Sequence, residues 1–505
     1  MNAPATSAPA RRISLALVLA ASLALSLFLA LRLPLLDPDE GRNAEVAREM
    51  AVSGDLVIPH LAGMPYLDKP PGFFWAAALS IRGFGPTPLA ARLPSILAAL
   101  ALLALLGRAA RRAGGERFGW IAPALLAAAP LFAALAAYVI FDMMLALCVT
   151  IVWLGLAREV EEAGGDEGAS SSGPARLRRR LLMFAAIAAG ILIKGPVMLG
   201  WALGGSLGAA LLTRSRASLA WLVWWPGWIL ALGIPGAWFA AATARFPEYP
   251  HYAFLEESLE RLTSNSFHRQ QPWWFVPAVL VGGTLPWSLL TRWSRARLEA
   301  SAPAVNVAAG AGVGFMLFAA VFFTLSHSKL VTYLLPALPP LAWCAAATWA
   351  GPATSGARRL ALVISLSLAP AAVIVAAWAG WLRDSPLLAG GAPLARAVIA
   401  AGSPALCYQR CYSPGTDFLL GRASPLVSTR GEEITSNYVV RYRDALMARG
   451  EWRLLDRVPR DFAGILVRSA RDTSGTSRLE RVWAAEGQRF VAYRAGASMR
   501  PAAQP

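Results

Sequence analysis

The sequence predicts an all-α polytopic membrane protein of about eleven to thirteen transmembrane helices, followed by a small soluble α/β domain. Two observations predict it. First, 56% of the residues are hydrophobic, and they come in blocks of about twenty, the length that carries a helix across a hydrocarbon core of roughly 30 Å. Second, no ten-residue stretches of alternating polarity occur. Only helices and closed barrels satisfy every backbone polar group in lipid, so the helix is the form that fits. The formal charge of +17 does not indicate nucleic acid, because the arginines stand in short clusters between apolar blocks and not along one soluble face.

Residues 1–12 are a polar tail ending in Arg11-Arg12. The apolar run 13–36 is too long for a signal-peptide core and has no convincing cleavage site, so it is expected to stay as an anchor. Further apolar blocks lie at 88–107, 118–137, 139–157, 181–193, 196–213, 219–240, 273–291, 303–325, 331–350 and 360–381. Together they define a membrane domain, 13–381, with a large first loop, 37–87. Arginine clusters at 108–112, 176–180, 214–216, 292–297 and 358–359 fall on one side of an eleven-span count. Basic residues near span ends are retained in the cytoplasm, so the N-terminus is expected inside and the segment 382–505 outside. That segment has mixed charge, short apolar runs at 464–467 and 490–493, and a helix-like stretch 438–449 closed by Gly450. Cys407 and Cys411 stand four apart, too far to bridge within one strand but able to bridge across a turn, and free thiols are expected.

The most informative count is of lysine. Of 47 basic residues only three are lysine, Lys69, Lys194 and Lys329. A chain so biased toward arginine is expected to keep lysine where a compact ammonium matters. All three lie at predicted outer ends of spans, and so do the histidines His60, His251, His268 and His327.

The first loop opens with Asp37-Pro38-Asp39-Glu40. Asp37 suits a helix N-cap, Pro38 the first helical position and Glu40 the capping-box position, while Glu45, Arg48 and Glu49 fit the polar face of a helix lying on the membrane. Asp39 is left without a structural task, which makes it a candidate base. Further on comes Tyr66-Leu67-Asp68-Lys69-Pro70-Pro71, an acid and a base side by side between chain breaks. Lys194 separates two short spans, and Asp142 sits just inside a span at its outer end. Ionisable groups at such depth are costly and usually functional. Ammonium groups gathered on one face would bind a phosphate and neutralise it as it departs. In the loop 241–275, Glu257 and Arg261 stand at i and i+4, and Trp273-Trp274 are expected as interfacial anchors.

These residues carry a resemblance. The run Asp39-Glu40-Gly41-Arg42-Asn43-Ala44-Glu45, with Pro59-His60-Leu61 and Tyr66-Leu67-Asp68-Lys69-Pro70, resembles the first periplasmic loop of the lipid A aminoarabinose transferases. Those enzymes belong to the GT-C superfamily that includes the protein O-mannosyltransferases. Ala91-Arg92-Leu93-Pro94-Ser95, Lys194-Gly195-Pro196, Pro286-Trp287 and the run from Ser328-Lys329 through Tyr333 to Pro336 match in order. Asn43 stands where a tyrosine is usual and Asp68 where a glutamate is. The resemblance implies a bacterial inner-membrane enzyme that takes a sugar from an undecaprenyl-phosphate carrier and gives it to a lipid or protein acceptor at the periplasmic face, with no nucleic acid involved.

By that resemblance Asp39 and Asp142 are the catalytic acids. Lys69, Lys194, Arg261 and Lys329 are expected to hold the donor phosphate, and Glu40, Arg42, Tyr66, Asp68, Glu257 and Tyr333 to line the substrate site. No cofactor is certain, and Asp68 with His268 is the candidate pair for a divalent ion, zinc or magnesium. The alternatives are a protein O-mannosyltransferase with the same chemistry and a lipid-linked sugar transporter. The transporter would place polar groups at mid-membrane on duplicated, interrupted helices, and the sequence shows no such duplication.

Overall fold

The computed structural model describes residues 8–36, 38–164, 173–260, 270–291, 293, 301–349, 391–471, 480–484 and 490–495. In chain order the main helices are α1 (Ala8–Arg32), α2 (Asp39–Ser53), α3 (Gly72–Phe84), α4 (Pro88–Ala127), α5 (Pro130–Ala136), α6 (Asp142–Gly164), α7 (Gly173–Lys194), α8 (Val197–Thr213), α9 (Trp225–Arg245), α10 (Pro303–Leu325), α11 (Leu338–Trp349), α12 (Ala392–Ala400) and α13 (Pro414–Leu420), with shorter helical segments between them. The strands are β1 (His60–Leu61), β2 (Met64–Pro65), β3 (Leu406–Gln409), β4 (Leu426–Val427), β5 (Gly464–Ser469), β6 (Glu480–Ala484) and β7 (Phe490–Ala495). The chain divides into two compact units, Met1–Phe28 with Pro94–Val375 and Leu29–Leu93 with Ala376–Pro505.

Every predicted apolar block up to residue 350 is occupied by helix, and the block 360–381 lies outside the described residues. Six stretches among the described residues are long and apolar enough to cross a membrane: Leu15–Arg32, Pro88–Ala127, Asp142–Gly164, Trp225–Arg245, Pro303–Leu325 and Val331–Trp349. The chain is a predominantly helical, multi-pass membrane protein with a small sheet-containing domain near its C-terminal end. Two predicted blocks are joined in α4, which turns at Gly115 (φ 80°, ψ −177°), a conformation that glycine adopts without Cβ strain. The second of those blocks then breaks at Ala129, which is extended (ψ 121°) because Pro130 disfavours a helical residue before it. The block at 273–291 is likewise interrupted, into Phe275–Gly282 and Trp287–Leu290.

Within the first unit, α8 and α10 approach closely enough that a Cβ on Gly208 would meet the Gly314 carbonyl oxygen at 2.5 Å. Small residues at such a crossing let helix backbones pack where lipid supplies no hydrophobic drive. Indoles close the centre. Trp153 Nε1 donates to the Ala308 carbonyl (2.9 Å) and Trp343 Nε1 to that of Val305 (3.1 Å), with the two rings edge to face at 5.6 Å. At the arginine-rich end, Glu159 is buried and accepts from Arg176 (3.1 Å), Arg179 (2.7 Å) and Arg180 (2.8 Å), tying the start of α7 to α6.

In the second unit, β3 lies between β4 and β5, both parallel to it, and β7 and β6 continue antiparallel in the order β4-β3-β5-β7-β6. The apolar runs at 464–467 and 490–493 are therefore strands, as their composition predicts. All four cysteines carry free, buried thiols, and burial pushes Cys411 up to about 12.

Helix α2 corrects an expectation. Glu45 and Arg48 do not face a membrane surface: both are buried, joined by Arg48 Nη2 to Glu45 Oε1 (2.5 Å) and Nε to Oε2 (2.7 Å), and α2 packs on α13. Glu49 accepts from the Ala62 and Gly63 amides (2.7 and 3.0 Å) and fixes the β1–β2 turn. Burial holds the Glu45 carboxyl well above, and that of Glu49 above, the usual carboxylate range. The helix also starts one residue later than expected, with Pro38 outside it and giving no side-chain cap. Asp37 lies outside the described residues.

Asp417 on α13 is fully buried. Its carboxylate accepts from Tyr408 Oη (3.1 Å), Ser424 N (3.0 Å) and Ser424 Oγ (2.7 Å). Burial lifts its pKa from 3.8 to about 7 against the pull of those donors. The unfolded chain ionises this group near its ordinary value, so between those two values the folded state holds the extra proton. The contribution to stability is complete at low pH and is lost as pH rises through about 7. Hydrogen exchange of the β3 and Ser424 amides, corrected for intrinsic rates, is expected to show rarer opening at about pH 5 than at about pH 8, and Asp417→Asn to flatten that slope.

Candidate active site

Within each unit the structure groups some of the predicted site residues. In the second, the start of α2 sets Asp39 and Arg42 one turn apart, and Arg42 Nη2 donates to Asp39 Oδ1. Arg42 Nη1 also reaches Thr435 Oγ1 at 3.2 Å. Burial alone would lower the Arg42 pKa, but the fields of Tyr66, Asp39 and Asp68 outweigh it and hold the guanidinium firmly charged. Four predicted residues, Asp39, Arg42, Tyr66 and Asp68, are thus neighbours. The Asp39 side chain remains 40% exposed, so a substrate can reach it. Arg42 Nε is buried with no acceptor among the described residues.

Two neighbours have tasks the sequence did not suggest. Asp68 is buried and accepts from Ser436 Oγ and from the Asn437 amide (3.0 Å), so it caps the short helix Asn437–Arg441 together with Ser436. Lys69 Nζ donates to the Asp68 carbonyl at 2.8 Å. Glu40, expected at the substrate, is completely buried. It takes a two-pronged bond from Arg92 (Nε to Oε1 2.8 Å, Nη2 to Oε2 2.7 Å) and accepts from the Leu36 amide at 2.9 Å. The remaining Arg92 donors go to the carbonyls of Ala30, Leu33 and Pro34. This pair fixes the end of α1 and the start of α2 against the start of α4, and so sets where Asp39 stands. Thr435, Ser436 and Asn437 were not foreseen, because nothing local in the sequence marks contacts to partners more than three hundred and sixty residues away.

In the first unit, Lys194 ends α7 and donates to the carboxylate of Asp142, the first residue of α6. Its ammonium lies 4.4 Å from the centre of the Tyr333 ring, within cation–π reach. Three residues singled out separately in the sequence are therefore one cluster. Lys329 is buried and donates to the Gln271 carbonyl at 2.9 Å, and the adjacent Ser328 hydroxyl is buried without a partner among the described residues. Glu257 is half-buried on the helical turn Tyr252–Glu260. Arg261 and His268 lie outside the described residues. Among the described residues no three His, Cys, Asp or Glu side chains are grouped to hold a metal ion, and both Asp68 oxygens are already engaged by Ser436 and Asn437.

Against solved structures, the chain superimposes on ArnT from Cupriavidus metallidurans bound to undecaprenyl phosphate with a TM-score of 0.79, covering 97% of this chain and 99% of that one at 22% identity. The chain has the ArnT fold. It is more distantly similar to the archaeal oligosaccharyltransferase AglB from Archaeoglobus fulgidus, with a TM-score of 0.51 and 11% identity over 90% of this chain and 69% of that one. In sequence it is similar to the undecaprenyl phosphate-alpha-4-amino-4-deoxy-L-arabinose arabinosyl transferases of Aeromonas hydrophila and Pseudomonas aeruginosa. Both are 29% identical to it, over 62% and 60% of this chain. The alignments take in 56% and 54% of those proteins, so the chain spans little more than half the length of the curated relatives it matches. The family model for dolichyl-phosphate-mannose-protein mannosyltransferases matches residues 68–234, a range that holds Asp68, Lys69, Asp142 and Lys194.

The Glu40–Arg92 pair gives an asymmetric expectation. Arg92→Met strands a buried carboxylate and costs about 3–5 kcal/mol, whereas Glu40→Gln leaves the guanidinium its three carbonyl acceptors and costs less. Tryptophan-fluorescence melting of the two variants in detergent checks this, and equal losses would contradict it.

Proposed function

We propose that the chain is a membrane glycosyltransferase that moves a sugar from a polyprenyl-phosphate carrier to an envelope acceptor. The observation that carries this reading is the Asp142–Lys194–Tyr333 cluster at the ends of membrane helices in a chain with the fold of an enzyme solved with undecaprenyl phosphate. A lysine at that depth is expensive unless its charge is used. Asp142 and Tyr333 hold the ammonium from two sides, and the side chain stays 12% exposed, so its remaining donors are available to a phosphate oxygen. Lys329 is proposed as a second phosphate ligand, with Lys69 and Arg261 as further ones.

In the proposed reaction, Asp39 accepts the proton of an acceptor hydroxyl while Arg42 orients its carboxylate. The hydroxyl oxygen forms a bond to the anomeric carbon, the bond from that carbon to the phosphate oxygen breaks, and the polyprenyl phosphate leaves with the electron pair. One displacement inverts the anomeric centre. The carrier already holds an activated bond, so no nucleotide is needed. The proposed orientation has the N-terminus in the cytoplasm of a bacterial inner-membrane protein and residues 382–505 in the periplasm, where such carriers present their sugars.

The similarity to undecaprenyl phosphate-alpha-4-amino-4-deoxy-L-arabinose arabinosyl transferases supports the polyprenyl-phosphate donor, and the first-loop resemblance to lipid A aminoarabinose transferases supports a lipid acceptor, lipid A or another envelope glycan. The mannosyltransferase model over residues 68–234 favours a polypeptide acceptor as the second reading. Membrane vesicles given a radiolabelled polyprenyl-phosphate sugar test the chemistry. Asp39→Asn is expected to lower transfer about 100-fold or more, and label is expected in the lipid fraction of wild-type vesicles. Transfer by Asp39→Asn at the wild-type rate would remove Asp39 as the base, and label confined to protein would select the second reading.

A further inference from the structure

Away from the clusters above, a cavity of about 330 Å³ opens where the middle of α4, just before its turn at Gly115, meets the arginine-rich ends of α6 and α7, and α10 and α11 also line it. Its floor is apolar, with Leu154, Met183 and Trp343, and its rim is basic. Two of the rim arginines are already paired: Arg158 with Glu161 (2.6 Å), and Arg179 with Glu162 and Glu159 (both 2.7 Å). Arg108, Arg112 and Arg178 are exposed and make no ion pair among the described residues.

An apolar pocket under three uncommitted guanidinium groups, on a chain embedded in lipid, suits a ligand with an anionic head and a hydrocarbon tail. Guanidinium forks match phosphate oxygens two at a time, and basic pockets between transmembrane helices recognise anionic headgroups. From this complementarity we infer that the cavity is a binding site for an anionic phospholipid of the surrounding leaflet. The phosphodiester sits among Arg108, Arg112 and Arg178, and one acyl chain lies against Leu154, Met183 and Trp343. A free phosphate or nucleotide would use the rim and leave the apolar floor in water. The inference does not rest on the transferase reading.

The test uses the full chain in phosphatidylcholine nanodiscs doped with phosphatidylglycerol, followed by gentle detergent extraction and native mass spectrometry of the lipid retained. Wild type is expected to keep one phosphatidylglycerol in preference to phosphatidylcholine. Arg108→Gln/Arg112→Gln/Arg178→Gln is expected to retain about tenfold less of it. Arg214→Gln/Arg216→Gln, which removes charge after α8 and outside the cavity lining, is expected to retain as much as wild type. Ala109→Trp fills the cavity without changing charge and is expected to expel the lipid too, which covers the case where the triple variant fails to fold. Equal retention by wild type and both cavity variants would overturn the proposal. So would equal loss in the Arg214/Arg216 control, or displacement of the bound lipid by inorganic phosphate, by ATP or preferentially by polyprenyl phosphate.

Discussion

A charge withdrawn from water must meet an opposite charge or a set of dipoles, and the helices of this chain are arranged around that requirement. Glu40 meets Arg92, Glu45 meets Arg48, Glu159 meets three arginines and Asp142 meets Lys194. Except for Glu45–Arg48, which lies within one helix, each match joins elements that are separate in the chain. Removing one partner leaves the other stranded, so these pairs fix geometry more than they add stability. The positions with something left over among the described residues are the ones available for chemistry: the half-exposed Asp39 carboxylate, the Nε of Arg42 and the hydroxyl of Ser328, neither with a partner among those residues, and the partly accessible Lys194 ammonium.

Two kinds of charge therefore coexist on α2, and their spacing explains why. Glu40, Glu45 and Arg48 are completed within the fold, whereas Asp39 and Arg42 lie at the first turn of the helix with the carboxylate accessible. The same helix anchors the unit through one set and presents the proposed base through the other. Moving Asp39 independently would require unmaking the Glu40–Arg92 pair beside it. The proposed catalytic carboxylate is in this way placed by a neighbour whose own charge is committed to Arg92.

Much of the fold was legible because lipid imposes a simple rule on sequence. The block 303–325 coincides with α10 residue for residue, and the strands at 464–469 and 490–495 follow from short apolar runs in a polar context. Scarcity pointed to part of the candidate site: three lysines among many arginines singled out Lys194 and Lys329, and an acid at a span end singled out Asp142. The pairing of Asp142 with Lys194 was not legible, because a one-dimensional pattern gives depth but not azimuth around a helix axis. The polar face of α2 was misread for a related reason. Helical period reveals that Glu45, Arg48 and Glu49 share a face, but a face meeting a membrane surface and one meeting α13 or a β-turn have the same period. The roles of Ser436 and Asn437 were hidden by sequence distance alone.

The central claim is that Lys194, held by Asp142 and Tyr333, recognises the phosphate of a lipid carrier and that Asp39 acts only in the transfer that follows. Equilibrium binding of undecaprenyl phosphate to the purified full-length protein tests it most directly, using Asp142→Asn/Lys194→Met, which removes both charges and leaves neither stranded, beside Asp39→Asn. The account predicts that the double variant binds the carrier about tenfold or more weakly while Asp39→Asn binds it as wild type does. Undiminished binding by a correctly folded double variant would contradict it.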